Sequence, residues 1–388
     1  MPLNNRIADL ADDVKLWRRD LHMNPEILYE VHRTAGVVAQ KLREFGCDEV
    51  VTGLGRTGVV GVIHGNSRAS GRAIGLRADM DALPIHETTG LPHASLVPGK
   101  MHACGHDGHT SMLLGAARYL TETRNFNGTA VVIFQPAEEG GAGGRAMIED
   151  GLMDRFRIEE IFGMHNAPGL PLGWFSIRKG PILAATDNFD IVIEGRGGHA
   201  AKPHDTIDPV VVGAQIVLAL QSIVARNIDP LDRCVVSVTR FQVGDAYNVI
   251  AQTCTLSGTV RTLLPVTRKN VERRMRDLAE GIAAAFGAKA TVIYRTGYPV
   301  TSNHDAQTDF ALDVARDVAG ADRVLPDMAP IMAGEDFSYM LLERPGAFIF
   351  VGNGDSASLH HPAYDFNDEA LPVGMSYWAR LVETALPA

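Results

Sequence analysis

The hydrophobic positions change their period along this chain, and the changes divide it. Ile7, Leu10, Val14, Leu16, Trp17 and Leu21 recur at mostly helical spacing, which predicts an amphipathic helix over residues 5–22 that ends before Asn24-Pro25. A second helix fits Arg33 to Phe45 and is stopped by Gly46. Short apolar runs bounded by Gly, Asn and Ser follow at Val59 to His64 and Ala73 to Ala78, and their unbroken hydrophobicity suits strands buried on both faces. A helix at Thr110 to Thr123, a strand at Thr129 to Phe134, and the segments Ala146 to Gly151 and Ile161 to His165 continue the alternation. Strands alternating with helices predict an α/β layer fold.

From about Thr186 the rhythm differs. Phe189 to Glu194 reads as a strand, Pro209 to Arg226 as a long apolar helix, Cys234 to Val243 and Thr253 to Thr262 as two strands, Val266 to Phe286 as a charged amphipathic helix and Lys289 to Tyr298 as a last strand. The order β-α-β-β-α-β is that of a ferredoxin-like split unit. It reads as an insertion, because the first pattern returns with a helix at Asp305 to Ala319, an apolar strand at Ala347 to Gly352 and a helix at Leu371 to Leu386. The expected organisation is a discontinuous α/β domain, residues 1–185 and 299–388, interrupted by a ferredoxin-like α+β module at residues 186–298.

Composition narrows the function classes. With 388 residues, 46% hydrophobic and 21% charged, the chain is globular in composition and long enough for two or three domains. Its net charge of −10, with no Lys/Arg-rich block, argues against nucleic acid as a partner. Four scattered cysteines without a CxxC pair argue against a disulfide framework. The N-terminus lacks the apolar core of a signal peptide, and no stretch of about 18 uninterrupted apolar residues occurs. A cytoplasmic protein with no membrane partner is expected. Glycine is in excess, 39 residues, and many of them fall in the segments that carry chemistry.

The segment His102 to Thr110 (HACGHDGHT) packs three imidazoles, a thiol and a carboxylate together just before a helix. A thiolate, imidazole and carboxylate set suits zinc, with manganese, cobalt or nickel compatible where more oxygen ligands join. The alternative is that Cys104 is a nucleophile paired with His106. Directly after an apolar strand, Gln135 to Gly144 (QPAEEGGAGG) places Glu138 and Glu139 where open α/β sheets bind ligands. Adjacent glutamates repel unless a cation or proton intervenes, so one is expected to hold metal and the other to work as a general base. Gly163-Met164-His165-Asn166, Ala333 to Phe337 and Leu359-His360-His361-Pro362 lie at or after further apolar runs. Five candidate ligands result: Cys104, His106, Glu139, His165 and His360. They exceed the three protein ligands of a one-zinc catalytic site and suit two divalent ions. In the module, Glu194 to His204 is glycine-rich but matches no nucleotide-binding pattern. His199 there suits stabilisation of an oxyanion on closure.

Taken together, His22 to Glu26, Arg77 to Ile85, the HACGHDGHT stretch, QPAEEGGAGG, Met164-His165-Asn166, Gly195 to His204, Ala333 to Met340 and Leu359 to Asp368 resemble the M20 metallopeptidases. The resemblance is to their amidohydrolase branch, which includes hippurate hydrolases and indole-3-acetyl-amino-acid hydrolases. It implies a phosphorylase/hydrolase-like α/β catalytic domain whose ferredoxin-like lid often dimerises, here into a homodimer or homotetramer. By residue matching it implies that Cys104, His106, Glu139, His165 and His360 bind two divalent ions, with Cys104 as bridge. It gives Glu138 the role of catalytic acid/base, and His199 that of a lid histidine which in some relatives serves the neighbouring subunit. One departure stands out: where aminoacylases and carboxypeptidases of the wider superfamily have a ligand His in an HxD motif, this chain has Asp79-Met80-Asp81. The usual bridging Asp is replaced by the Cys104/His106 pair. The expected reaction is hydrolysis of the amide bond of a small N-acyl or N-aroyl amino acid. A dipeptidase or an N-acetyl-diaminopimelate-type deacetylase with the same ions is the alternative. Asn248 and Arg261 are the candidates for holding the substrate carboxylate.

Overall fold

The unbroken apolar runs form the centre of an eight-stranded sheet in the computed structural model, which describes residues 5–388. Across the sheet the strands run Glu49–Leu54, Gly58–His64, Thr129–Gln135, Ala73–Asp79, Glu160–Pro168, Gly346–Gly354, Phe175–Ser176 and Val324–Leu325. The middle four are mutually parallel, and every residue of Ala73–Asp79 is buried, as a strand covered on both faces requires. Parallel pairing in register, Asp79 beside Gln135 and Arg77 beside both Ile133 and Gly163, brings the carboxyl ends of these strands to one edge. Ligands gather at that edge in open α/β sheets.

Helix His106–Thr123 begins earlier than the apolar period predicts. Its first turn is polar yet wholly buried, so the apolar spacing does not show it. Gly105, at φ 88°, turns the chain into the helix. A side chain there would collide with Asn166 and come within 2.6 Å of the Tyr364 hydroxyl, which leaves room only for glycine. His106 and His109 therefore stand on a helical turn instead of in a loop.

The chain divides into two units. One runs up to Gly180 and resumes over Ser302–Ala329 and Asp336–Ala388; the other comprises Pro181–Thr301 and Pro330–Glu335. The second unit is built on an antiparallel sheet in the order Cys234–Val243, Thr253–Thr262, Ala185–Glu194, Lys289–Thr296. Helices Pro209–Ser222 and Pro265–Ala285 pack on it and on each other. Residues Pro330–Glu335 return to this unit: Ala184 N donates to Ala333 O at 2.8 Å, and Ile331 N to Ile182 O at 2.9 Å. A two-residue pairing too short for any period to betray joins Gly198–His199 to Val249–Ile250. Helix Pro209–Ser222 runs on through a π turn to Asn227, and this stretch is long and apolar enough, at mean hydropathy 1.6, to cross a membrane. Val212, Ile216, Leu220 and Ile223 instead pack in the core of the unit with Phe189 and Ile191 of the sheet. The Asp208 side chain caps the start by accepting from Val210 N.

Candidate metal centre

The carboxyl edge of the large sheet brings all five expected ligands together. The donor atoms of Cys104, His106 and His165 lie within 4.8 Å of one another, as do those of Cys104, Glu139 and His360, and those of His106, Glu138 and Glu139. Cys104 Sγ is 3.4 Å from His165 Nε2. Glu139 Oε1 is 3.4 Å from His360 Nε2 and 3.9 Å from His106 Nε2.

Several of the donors are held by something nearby. His165 Nδ1–H donates to Asn166 O at 2.7 Å, which leaves the Nε2 lone pair facing Cys104. His360 sits in the left-handed region at φ 65°, and its N–H donates to Ala103 O at 2.8 Å, tying the loop after the last parallel strand to the Cys104 segment. The Glu138-Glu139 turn is held by Asp81, whose two carboxylate oxygens accept from Glu138 N at 2.9 Å and Glu139 N at 3.1 Å. Asp336 pins the far side of the same loop. One of its oxygens accepts from Arg77 at 3.1 Å and Gln135 at 2.7 Å, the other from Gly144 N at 2.8 Å. Asp81 and Asp336 stood in segments already singled out, but their partners are 57 and 192 residues away. Spacing along the chain shows neither role.

The electrostatics call for cations. Both ring nitrogens of His106 and Oε1 of Glu139 are buried with no hydrogen-bond partner among the described residues. Leaving such groups unsatisfied costs about 1–3 kcal/mol each, more where the group is charged. Burial alone would lower His106, yet the carboxylates of Asp79, Asp81 and Glu139 push it up to about 10. Burial, with Glu139, Glu138 and Asp79 close by, drives the Cys104 thiol well above its ordinary value. Glu139 goes the other way, its burial outweighed by His360 and His106. Without a positive centre the cluster holds protons on Cys104 and His106; divalent ions reverse both, because they bind thiolate and neutral imidazole. Orphaned donors, negative surroundings and a thiolate, imidazole and carboxylate set all fit metal.

Three other expected residues belong to the second unit. His199 is exposed and pairs in register with Val249, while Ala200 N donates to Asn248 O at 3.0 Å, so His199 and Asn248 share one strip. His199 Nδ1 accepts from Ala201 N at 3.0 Å, which puts the proton of the neutral ring on Nε2. Arg261 stands apart from that strip, on strand Thr253–Thr262, half-buried, donating to Val260 O at 3.1 Å and to the Thr259 hydroxyl.

Comparison with known proteins finds relatives along nearly the whole chain. The description "Peptidase family M20/M25/M40" matches residues 75–384. The chain is 43% identical to a hippurate hydrolase of Campylobacter jejuni subsp. jejuni over 382 residues, covering 98% of each. It is 41% identical to an N-acetylcysteine deacetylase of Bacillus subtilis, covering 98% of this chain and 99% of that one. A crystal structure of a dinuclear metal binding peptidase of the M20 family from Bacillus subtilis superposes with a TM-score of 0.85 at 37% identity, covering 98% of this chain and 99% of that chain. The chain belongs to peptidase family M20/M25/M40 and is a hydrolase acting on amides.

Proposed function

We propose that this enzyme hydrolyses the amide bond of N-acyl or N-aroyl amino acids, hippurate-like compounds among them, releasing a carboxylic acid and a free amino acid. The observation that carries the reading is Glu138, held by Asp81 next to the candidate ligands Glu139 and His106. Cys104, His106, Glu139, His165 and His360 would hold two divalent ions, zinc or manganese. When bound, such ions polarise an amide carbonyl and make water acidic enough to attack at neutral pH. Glu138 takes the proton from the attacking water and passes it to the leaving nitrogen, which departs as an amine. His199 contributes its Nε2–H to the developing oxyanion, and Asn248, on the same strip, or Arg261, apart from it, holds the substrate carboxylate. The similarity to a hippurate hydrolase and to an N-acetylcysteine deacetylase supports an acyl group on the nitrogen side of the scissile bond.

The test is Glu138→Gln. Turnover of hippurate or N-acetyl amino acids should fall about a hundredfold to ten-thousandfold while bound metal stays unchanged; retained turnover removes Glu138 from the role. A panel of acyl amino acids and dipeptides assigns the substrate class, and preferred cleavage of dipeptides would overturn the acyl reading.

For self-association, the module offers Val210, Val211 and Leu218 exposed on helix Pro209–Ser222, and exposed Phe241 on strand Cys234–Val243, which ends its sheet. A sheet edge beside exposed apolar side chains is a surface that a second copy can cover. Light scattering on Leu218→Glu should show smaller particles than the unsubstituted enzyme. We place the enzyme in a reducing compartment, in keeping with four unpaired cysteines.

A further inference from the structure

His109 has its ring within reach of Asp79 and His106, and these three could be taken for another metal site. Their hydrogen bonds argue otherwise. His109 Nδ1–H donates to Asp79 Oδ1 at 2.7 Å, and His109 Nε2 accepts from Asn166 N at 2.9 Å, with Asn166 Nδ2 at 3.0 Å. Asp79 Oδ2 accepts from Arg77 at 2.8 Å. Neither His109 nitrogen keeps a lone pair for a cation.

These contacts form one buried relay. Asn166 donates through Nδ2 to Cys104 O at 2.7 Å, accepts at Oδ1 from the Tyr364 hydroxyl at 2.8 Å, and offers its own carbonyl to His165 Nδ1 at 2.7 Å. Asp79, His109, Asn166 and Tyr364 are all essentially inaccessible to solvent. Asn166 thus touches the backbone of one candidate ligand and the ring of another. Its own side chain is fixed from both ends, by His109 on helix His106–Thr123 and by Tyr364 near the C-terminal helix.

We infer that His109 and Asn166 are a positioning pair that holds Cys104 and His165 in ligating geometry. The inference rests on the assignment of Cys104 and His165 as ligands made above. A buried acceptor at His109 Nε2 requires the neutral Nδ1–H tautomer, and Asp79, itself paired with Arg77, selects that tautomer. With the ring so set, Asn166 can present Nδ2 to Cys104 O and its carbonyl to His165 in one orientation only. Partners of metal ligands typically change metal affinity by about 10-fold to 100-fold when removed.

The experiment compares the unsubstituted enzyme with His109→Ala, His109→Gln, Tyr364→Phe and Cys104→Ser. Each is equilibrated against buffered zinc and assayed for bound metal, then loaded with cobalt(II) and scanned for the near-ultraviolet sulfur-to-cobalt charge-transfer band. Circular dichroism reports folding. His109→Ala should stay folded, bind metal about 10-fold to 100-fold more weakly and shift or weaken the sulfur band; His109→Gln, which keeps one donor and one acceptor, should recover most of both. Tyr364→Phe removes only the hydroxyl at the outer end of the relay, so it serves even if His109→Ala does not fold, and it should weaken metal binding by a smaller factor. Folded His109→Ala and Tyr364→Phe proteins with unaltered metal affinity and an unaltered band would overturn the inference while leaving the ligand assignment standing. An unsubstituted enzyme with no sulfur band, or a band that survives Cys104→Ser, would overturn the ligand assignment and this inference with it.

Discussion

The candidate chemistry of this enzyme sits in two kinds of surroundings. At the carboxyl edge of the large sheet, Cys104, His106 and His165 are buried, and hydrogen bonds across the fold hold His165 and the Glu138-Glu139 turn in place. In the inserted module, His199 is exposed on a two-residue pairing with Asn248 exposed beside it, and His199 Nδ1 accepts a local backbone hydrogen bond from Ala201 N. The difference suits the roles proposed for the two sets of residues. Groups that hold ions at fixed distances must be pre-organised, because each misplaced ligand forfeits binding. Groups that meet a substrate which comes and goes can stay solvated until it arrives.

Substitutions on each side should therefore fail differently. The largest effect belongs to Glu138→Gln, with turnover nearly abolished and ions retained. Next comes His199→Ala: removal of an oxyanion donor should cost about a hundredfold to a thousandfold in kcat, again with metal content unchanged. Loss of metal in His199→Ala, measured by elemental analysis, would break the comparison, since it would make the module part of the ion-holding structure. The smallest effect is on stability. Burial would lower His22, but its contact with Asp107 at 2.8 Å and its approach to Glu87 push it up to about 9. A basic group whose folded value exceeds its unfolded value of about 6.5 stabilises fully below pH 6.5 and loses that stabilisation as pH rises through 9. The loss should reach up to about 3 kcal/mol, at about 1.4 kcal/mol per unit. Thermal unfolding between pH 6.5 and 9 should show a steeper decline in the unsubstituted enzyme than in His22→Gln; equal slopes would show that this pair contributes nothing pH-dependent.

Much of this was open to reading along the chain, for definite reasons. Strands buried on both faces must be apolar throughout, so Val59 to His64, Ala73 to Ala78 and Thr129 to Phe134 announce themselves, and the residues at their ends become candidates by position. The density of His102 to His109 marks a site because packing offers no reason for it. What stayed hidden depends on pairing across distance. Asp81 is an acceptor for two glutamate N–H groups only because the sheet sets Asp79 beside Gln135. Asn166 is one residue from a candidate ligand, yet its work lies in contacts to Cys104, His109 and Tyr364, which no spacing rule connects. The first turn of helix His106–Thr123 escapes the apolar period because it buries polar groups. The return of Pro330–Glu335 to the second unit has no sequence signature.

The central claim is that ions held by the large sheet's edge, and not a cysteine nucleophile, carry the reaction. Its most direct test measures metal content and hippurate turnover on the same sample before chelation, after it, and after re-addition of zinc or manganese. Two equivalents of divalent ion per chain are expected, with turnover lost as they are withdrawn and regained as they are restored. Metal-free protein that still hydrolyses the amide at full rate would contradict it.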